Sequence, residues 1–235
     1  NKKLNKTFHG NFIKHEELSE LIYAKEVAKK SCLELNLKNI DYDDIINNLS
    51  KIIYSLDYPV GGPGSIPQFI LSKFVSSKIK VVLGGQGGDE IFGGYARYLI
   101  LDFESKLKEA IFNNNESSIK NLINLLPSLS ILKKYTPMLS SFWSNGLFED
   151  MDLRYFALLD RSKTIRKFFT FDEKDFETKK DHFKFLFNQN KSNSSLSMMN
   201  KMMNFDIKYF LPALLQVEDR VSMNFSLESR VPFLD

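Results

Sequence analysis

Val81-Val82-Leu83-Gly84-Gly85-Gln86-Gly87-Gly88-Asp89-Glu90-Ile91-Phe92-Gly93-Gly94-Tyr95 decides the reading of this chain. A β-type apolar triplet runs into four glycines within five residues, then an acidic pair, then a second Gly-Gly beside aromatics. Glycine admits φ > 0 and close approach of backbone to a ligand. A loop that follows an apolar strand lies at the strand's carboxyl end, where open α/β sheets bind ligands. Asp89 and Glu90 supply hard oxygen ligands of the kind that hold Mg²⁺ against a phosphate. A plain strand-to-helix turn stands beside this reading. The run is neither a dinucleotide fingerprint, because Glu90 stands where the third glycine belongs, nor a Walker A loop, because no Gly-Lys-Ser/Thr follows.

Helical patterns flank the triplet. Glu16 to Leu35 carries Leu18, Leu21, Ile22, Ala28, Cys32 and Leu35 at helical spacing, with acids early and lysines late. Asn36 to Asp41 is a short link with room for one strand. Asp43 is placed to cap a second helix whose apolar face is Ile45, Ile46, Leu49, Ile52, Ile53 and Leu56. Pro59 ends it near Asp57. Ser65 is placed to cap a helix carrying Phe69, Ile70 and Phe74, and Ile79 to Leu83 follows as a short buried strand, expected to be parallel. After Tyr98 strand patterns largely vanish. Apolar residues recur at helical spacing through Leu107, Ile111, Leu122, Leu153, Phe156 and Leu159. Met198, Met199, Met202 and Met203 read as a helix-packing seam. The fold class is α/β: residues 1–97 form an α/β portion and residues 98–235 a helical one.

Composition narrows the function class. A chain of 235 residues can bury one substantial core, losing roughly 70–75% of its unfolded surface. A net charge of +3 with no dense Lys/Arg block gives no sign of nucleic acid. No apolar run approaches the ~18–20 residues of a membrane span, and no signal peptide is visible. Cys32 is the only cysteine and falls in the first helical pattern, where it reads as a buried small apolar residue. A reduced, cytosolic setting fits. His9, His15 and His182 form no ligand spacing.

Three stretches together resemble the synthetase domain of the glutamine-hydrolysing asparagine synthetases. They are Leu56 to Ser65, Val81 to Tyr95, and Glu218-Asp219-Arg220-Val221-Ser222-Met223 running on through Ser226 to Asp235. The resemblance implies an adenine nucleotide α-hydrolase-like parallel sheet followed by an all-helical half, residues 1–97 being the nucleotide-binding portion. It implies ATP and Mg²⁺, activation of the aspartate side-chain carboxylate as an acyl-adenylate, and attack by ammonia drawn from glutamine to give asparagine. Partners would be small molecules, with an oligomer left open. Family residues map onto Gly84 and Gly85, and onto the neighbouring Gly87 and Gly88, as nucleotide-lining positions. They map onto Asp89 as a Mg²⁺ ligand and onto Gln86 at the reacting centre. Arg220, with Ser222, would line the acceptor pocket.

Several features depart from the family pattern. The family commonly carries Glu or Asp at the position of Gln86, and a neutral amide is neither a general base nor an anionic ligand. That opens a second reading, a related amidotransferase or β-lactam synthetase-like enzyme with another carboxylate. A third, from a different class, is a non-catalytic interaction module. No Ser-Gly-Gly-x-Asp-Ser loop stands upstream, and no lysine follows Asp235. The chain therefore reads as an internal piece of a longer enzyme, inactive alone, whose parallel sheet is incomplete at its N-terminal end. In the third stretch, Glu218, Asp219, Arg220, Glu228 and Arg230 are also open to reading as an ion-pair lattice between helices, favoured for Glu228 and Arg230. The Pro63-Gly64-Ser65 turn is either a capped turn or an anion contact at a helix start.

Overall fold

The structure is a computed structural model, and it describes residues 6–12, 19–57, 62–113, 115–162, 168, 170, 172–189 and 197–235. The chain divides into two compact units, one of residues 1–86 with 212–235 and one of residues 87–211. The division expected from sequence lies at 97/98 and keeps 212–235 with the helices. Among the described residues no helix is long and apolar enough to cross a membrane.

The first unit is α/β. Strand β1 (Lys6–Phe12) pairs in parallel with β2 (Glu34–Ile40), Lys6 facing Glu34 and Phe12 facing Ile40. Helix α1 (Leu21–Lys30) links them. It is shorter than the pattern Glu16 to Leu35: it ends in a turn where Cys32 takes φ 53°, and Leu35 already belongs to β2. Cys32 is therefore exposed, against the expectation of a buried residue. The strand expected from Asn36 begins at Glu34, and β1 had no counterpart in the sequence reading.

Helix α2 (Tyr42–Ser55) starts at Asp41, not Asp43. The Asp41 carboxylate accepts the Asp44 amide at 2.8 Å, and Asp44 returns the contact to the Asp41 amide at 3.4 Å. Only this spacing closes a capping box. Helix α3 (Ser65–Ser76) has no side-chain cap. Its first turn begins earlier, with the Ile66 amide donating to the Pro63 carbonyl at 3.1 Å, so Ser65 already lies inside it. Strand β3 (Val81–Leu83) pairs in parallel with β4 (Glu228–Arg230), Val82 facing Ser229. Helix α11 (Leu211–Met223) precedes β4. Ile52, Leu56, Phe69, Val217 and Val221 form the core cluster of this unit, and the Phe69 and Phe225 rings meet edge-on at 4.7 Å.

The second unit is helical, built of α4 (Gly88–Phe92), α5 (Ala96–Asn113), α6 (Glu116–Leu125), α7 (Thr136–Trp143), α8 (Met151–Leu159), α9 (Glu173–Phe187) and α10 (Met198–Tyr209), with a 3₁₀ segment over Leu126–Tyr135. Tyr98, Leu101, Tyr155, Phe183, Phe187, Met202 and Phe205 form its main core. Met198, Met199 and Met203 pack against that cluster, as a packing seam should. Two buried polar networks stiffen the unit. Asp206, fully buried, accepts from Tyr98 Oη at 2.6 Å, Tyr155 Oη at 2.5 Å and Arg97 Nε at 3.1 Å. Arg154 forks onto Glu104 at 2.6 and 2.9 Å and lies against the Phe142 ring.

Candidate functional site

The site begins where β3 runs out. Gly84 donates its amide to the Arg230 carbonyl at 2.7 Å, which holds the end of β3 against β4. The Glu218 carboxylate, on α11, crosses directly over this backbone. A methyl group at Gly84 would lie 2.5 Å from Glu218 Oε1 and 3.4 Å from Ser229 Oγ. Glycine is required there by close approach. Glu218 is 9% exposed and accepts a short hydrogen bond from the Ser229 hydroxyl.

This corner opens on a cavity of about 780 Å³ within the first unit. Gly84, Gly85, Gln86, Glu218, Ser222 and Ser229 line the part beyond β3. The volume lies in the range of small-molecule sites, roughly 300–1,000 Å³. The arrangement offers exposed backbone at Gly85, a neutral amide at Gln86 and one buried carboxylate. Such a set can cradle a polar ligand through backbone donors while Glu218 accepts from a hydroxyl or amine.

The rest of the glycine run belongs to the second unit. Gly87 takes φ 88° and caps α4, a conformation that favours glycine. Asp89, in the first turn of α4, is exposed, with its carboxylate packed against Gly94, which leaves no space there for a side chain. The Asp89 carbonyl also accepts the Gly94 amide at 2.9 Å, so the second Gly-Gly folds back over the acid. Glu90 is 2% exposed and accepts the Tyr95 hydroxyl at 2.7 Å. Burial and the neighbouring Glu90 carboxylate push the Tyr95 phenol well above its ordinary pKa, so it remains a donor. The Arg97 guanidinium lies over the Tyr95 ring at 3.6 Å. Among the described residues no group of three or more His, Cys, Asp or Glu is arranged to hold a metal.

The structure thus brings Gly84, Gly85 and Gln86 together with Ser222 around one cavity, and Gly87, Gly88 and Asp89 together at the start of α4. Arg220 is not among the cavity's lining residues. It faces Asp57 at 3.2 Å, both side chains about half exposed. Glu228 and Arg230 do not bridge helices. They lie on the exposed strand β4, where Arg230 Nε meets Glu228 Oε1 at 2.8 Å. A strand places i and i+2 on one face, so the pair satisfies itself locally. Glu218 in turn bonds Ser229 and no arginine. Sequence reasoning missed the pairing of Glu218 with Gly84, and of Glu90 with Tyr95. The five-residue spacing of Glu90 and Tyr95 was a usable signal.

Comparison with known proteins follows the same residues. The family model described as asparagine synthase matches residues 2–235. The chain is 29% identical over 241 residues to glutamine-hydrolyzing asparagine synthetase 1 of Bacillus subtilis (strain 168), a match that covers 98% of this chain and 35% of that protein. It is 40% identical over 87 residues to putative glutamine-hydrolyzing asparagine synthetase 1 of Methanocaldococcus jannaschii, covering 35% of this chain and 16% of that protein. A putative glutamine-hydrolyzing asparagine synthetase of Mycobacterium bovis is 35% identical over 92 residues, 39% of this chain and 14% of its own length. The chain therefore spans about a third, or less, of each relative. No solved structure gives a significant match.

Proposed function

From the premise that this chain belongs to the asparagine synthase family, we propose that it is the ATP-using part of an amide-forming ligase, with an adenine nucleotide α-hydrolase-like α/β unit. The observation that carries the reading is the cavity beyond β3, where Gly85 leaves backbone open to a ligand next to Gly84 and Glu218. A carboxylate is a poor electrophile. In the proposed reaction one carboxylate oxygen of aspartate attacks the α-phosphorus of ATP, the α–β phosphoanhydride bond breaks, and pyrophosphate leaves. Ammonia from glutamine then attacks the acyl carbon, the bond to AMP breaks, and the extra proton passes to solvent. Gly84, Gly85, Gly87 and Gly88 would let backbone approach the phosphates. Asp89 would hold Mg²⁺, which supplies charge neutralisation on pyrophosphate when bound. Gln86 would orient the reacting groups as a donor and acceptor of hydrogen bonds. Arg220 would meet the acceptor carboxylate, which requires it to release Asp57.

The test is ATP–pyrophosphate exchange by the full product of the gene. Aspartate-dependent exchange supports the reading, and no exchange with any carboxylate overturns it. The chain of residues 1–235 alone is expected to give none. Gln86 favours a second reading within the same chemistry. With a neutral amide where the family commonly has an acid, the substrate would be a carboxylate other than aspartate. A carboxylate panel in the same assay separates the two. Asp89→Asn removes one anionic ligand and is expected to lower exchange by about 10²-fold, with the loss dependent on Mg²⁺ concentration and the melting temperature unchanged.

A further inference from the structure

Among the described residues the Glu218 carboxylate has no cationic partner. It is 9% exposed, and the arginines closest to it in sequence are engaged elsewhere, Arg220 with Asp57 at 3.2 Å and Arg230 with Glu228 at 2.8 Å. The Ser229 hydroxyl donates to its Oε1 atom, and among the described residues nothing donates to Oε2. A buried carboxylate that serves stability is normally paired, because an uncompensated buried charge is costly. The fold nevertheless keeps the neighbouring backbone bare for it: a methyl group at Gly84 would lie 2.5 Å from Oε1.

The surroundings define what such a group can do. Of the residues that line the cavity beyond β3, Glu218 alone can take up a proton. Gln86 is a neutral amide that neither gains nor loses one. The Ser222 hydroxyl donates to the Asp219 carbonyl at 3.2 Å, and Ser229 donates to Glu218 itself. Lys6, His9 and Glu20 also border the cavity, but they come from β1 and from the residue before α1. The proposed reaction needs a proton acceptor at one step. Ammonia that has attacked an acyl carbon is a cationic nitrogen, and it must shed a proton before the amide is complete.

We propose that Glu218 is the catalytic base of the amide-forming step, an inference that rests on the reading of this chain as part of an ATP-using ligase. The nitrogen lone pair forms the new C–N bond, and the carbonyl π pair moves onto oxygen. Glu218 takes one N–H proton on its unoccupied oxygen. The pair on oxygen returns to carbon, the C–O bond to AMP breaks, and AMP leaves with those electrons on its phosphate. The Glu218 carboxylic acid then gives its proton to solvent. Ser229, donating to Oε1, is a positioning residue that leaves Oε2 for the nitrogen. A carboxylate repels phosphate oxygens and attracts an N–H. The loop therefore divides its work, with open backbone for the nucleotide and Glu218 for the nucleophile.

The experiment separates the two half-reactions in the full product of the gene, with whichever carboxylate supports exchange. ATP–pyrophosphate exchange reads activation and needs no nitrogen source. Amide formation from added ammonium chloride reads the second step and bypasses glutamine. Glu218→Gln is expected to keep exchange within about threefold of the unaltered enzyme and to lower ammonia-dependent amide formation by about 10²-fold or more. Hydroxylamine, a less basic nucleophile whose adduct releases its proton more readily, should show a smaller loss. Equal loss of both half-reactions overturns the proposal and places Glu218 at the nucleotide or in the fold. Amide formation that is unchanged beside normal exchange sinks the base alone. If the unaltered enzyme shows no carboxylate-dependent exchange, the ligase reading fails first and the base falls with it. Should Glu218→Gln melt too low to assay, Glu218→Asp decides, since it keeps a carboxylate set back by one methylene. A selective loss of amide formation then supports the base, and no loss overturns it.

Discussion

Asp206 and Ile53 show how differently the two units are finished. In the helical unit Asp206 is fully buried and surrounded by two phenols and a guanidinium, and Glu104 is likewise locked to Arg154. In the α/β unit one helix displays apolar residues: Ile46, Leu49, Ile53 and Tyr54 of α2 face outward, Ile53 at 63% and Tyr54 at 85% exposure. Both units expose large apolar side chains, Phe92 at 73% and Phe112 at 68% in the helical one; what sets the helical unit apart is its fully buried carboxylates, Asp206 and Glu104, each held by an arginine. A buried ion that loses its partner is costly, while an exposed apolar side chain contributes little to the fold that displays it. The comparison can be attacked at both ends.

The largest effect should come from Arg154→Met, which leaves Glu104 buried without a counter-charge. A loss of about 3–5 kcal/mol is expected, measured by urea denaturation followed by circular dichroism. Adding Glu104→Leu should restore much of it, because an apolar pair removes the orphaned charge. If the single variant costs under 1 kcal/mol, the helical unit does not depend on its buried pairs.

Alkaline pH should come next. Burial first, and then Asp206, raise the phenols of Tyr98 and Tyr155 far above their ordinary value. Unfolded tyrosines ionise near pH ~10, so above that pH the folded state binds more protons than the unfolded one. Their stabilising contribution is complete below pH ~10 and falls as pH rises, by about 1.4 kcal/mol per pH unit for each phenol. Melting temperature from pH 9 to 11.5 is the measurement, and Tyr155→Phe should flatten the slope. An unchanged slope would remove that hydroxyl from the network.

Gly84→Ala sharpens the comparison from the α/β side. The new methyl meets Glu218 Oε1 at 2.5 Å, and about 1–3 kcal/mol should be lost. Combining it with Glu218→Ala should recover most of the loss, since the two changes share one contact. The smallest effect belongs to Ile53→Lys on the uncovered face of α2. Stability should move by no more than about 0.5 kcal/mol; a loss above 2 kcal/mol would show that Ile53 is packed.

The sequence announced local features and missed distant ones. The strand at Val81–Leu83, the turn at Gly84 and the Met198–Met203 seam were legible from composition and period. The apolar face of α2 was legible too, but Ile52 and Leu56 turn inward while Ile46, Leu49 and Ile53 do not. Periodicity gives the apolar stripe of a helix, and cannot say how much of that stripe is covered. Asp41 rather than Asp43 caps that helix because Asp44 reciprocates, a pairing within reach of a closer reading. Glu228-Ser229-Arg230 is polar and short, so nothing marked it as a strand; its partner lies across the whole second unit. The Arg97–Asp206 contact spans 109 residues, and no local pattern encodes it. In the candidate site the glycines were readable, but Glu218 crossing Gly84 was not, because that approach is set by a helix far along the chain.

The return of residues 212–235 to the first unit has a consequence for synthesis. A ribosome emits β3 long before β4, with all of residues 87–211 between them. At roughly 5–20 residues per second, the edge of Val81–Leu83 waits several seconds for its partner while the helical unit can already condense. Pairings between distant segments are slow to form. Any factor that shelters an unpaired strand on the nascent chain should therefore act on this protein in that interval, and raise its yield more than its final stability.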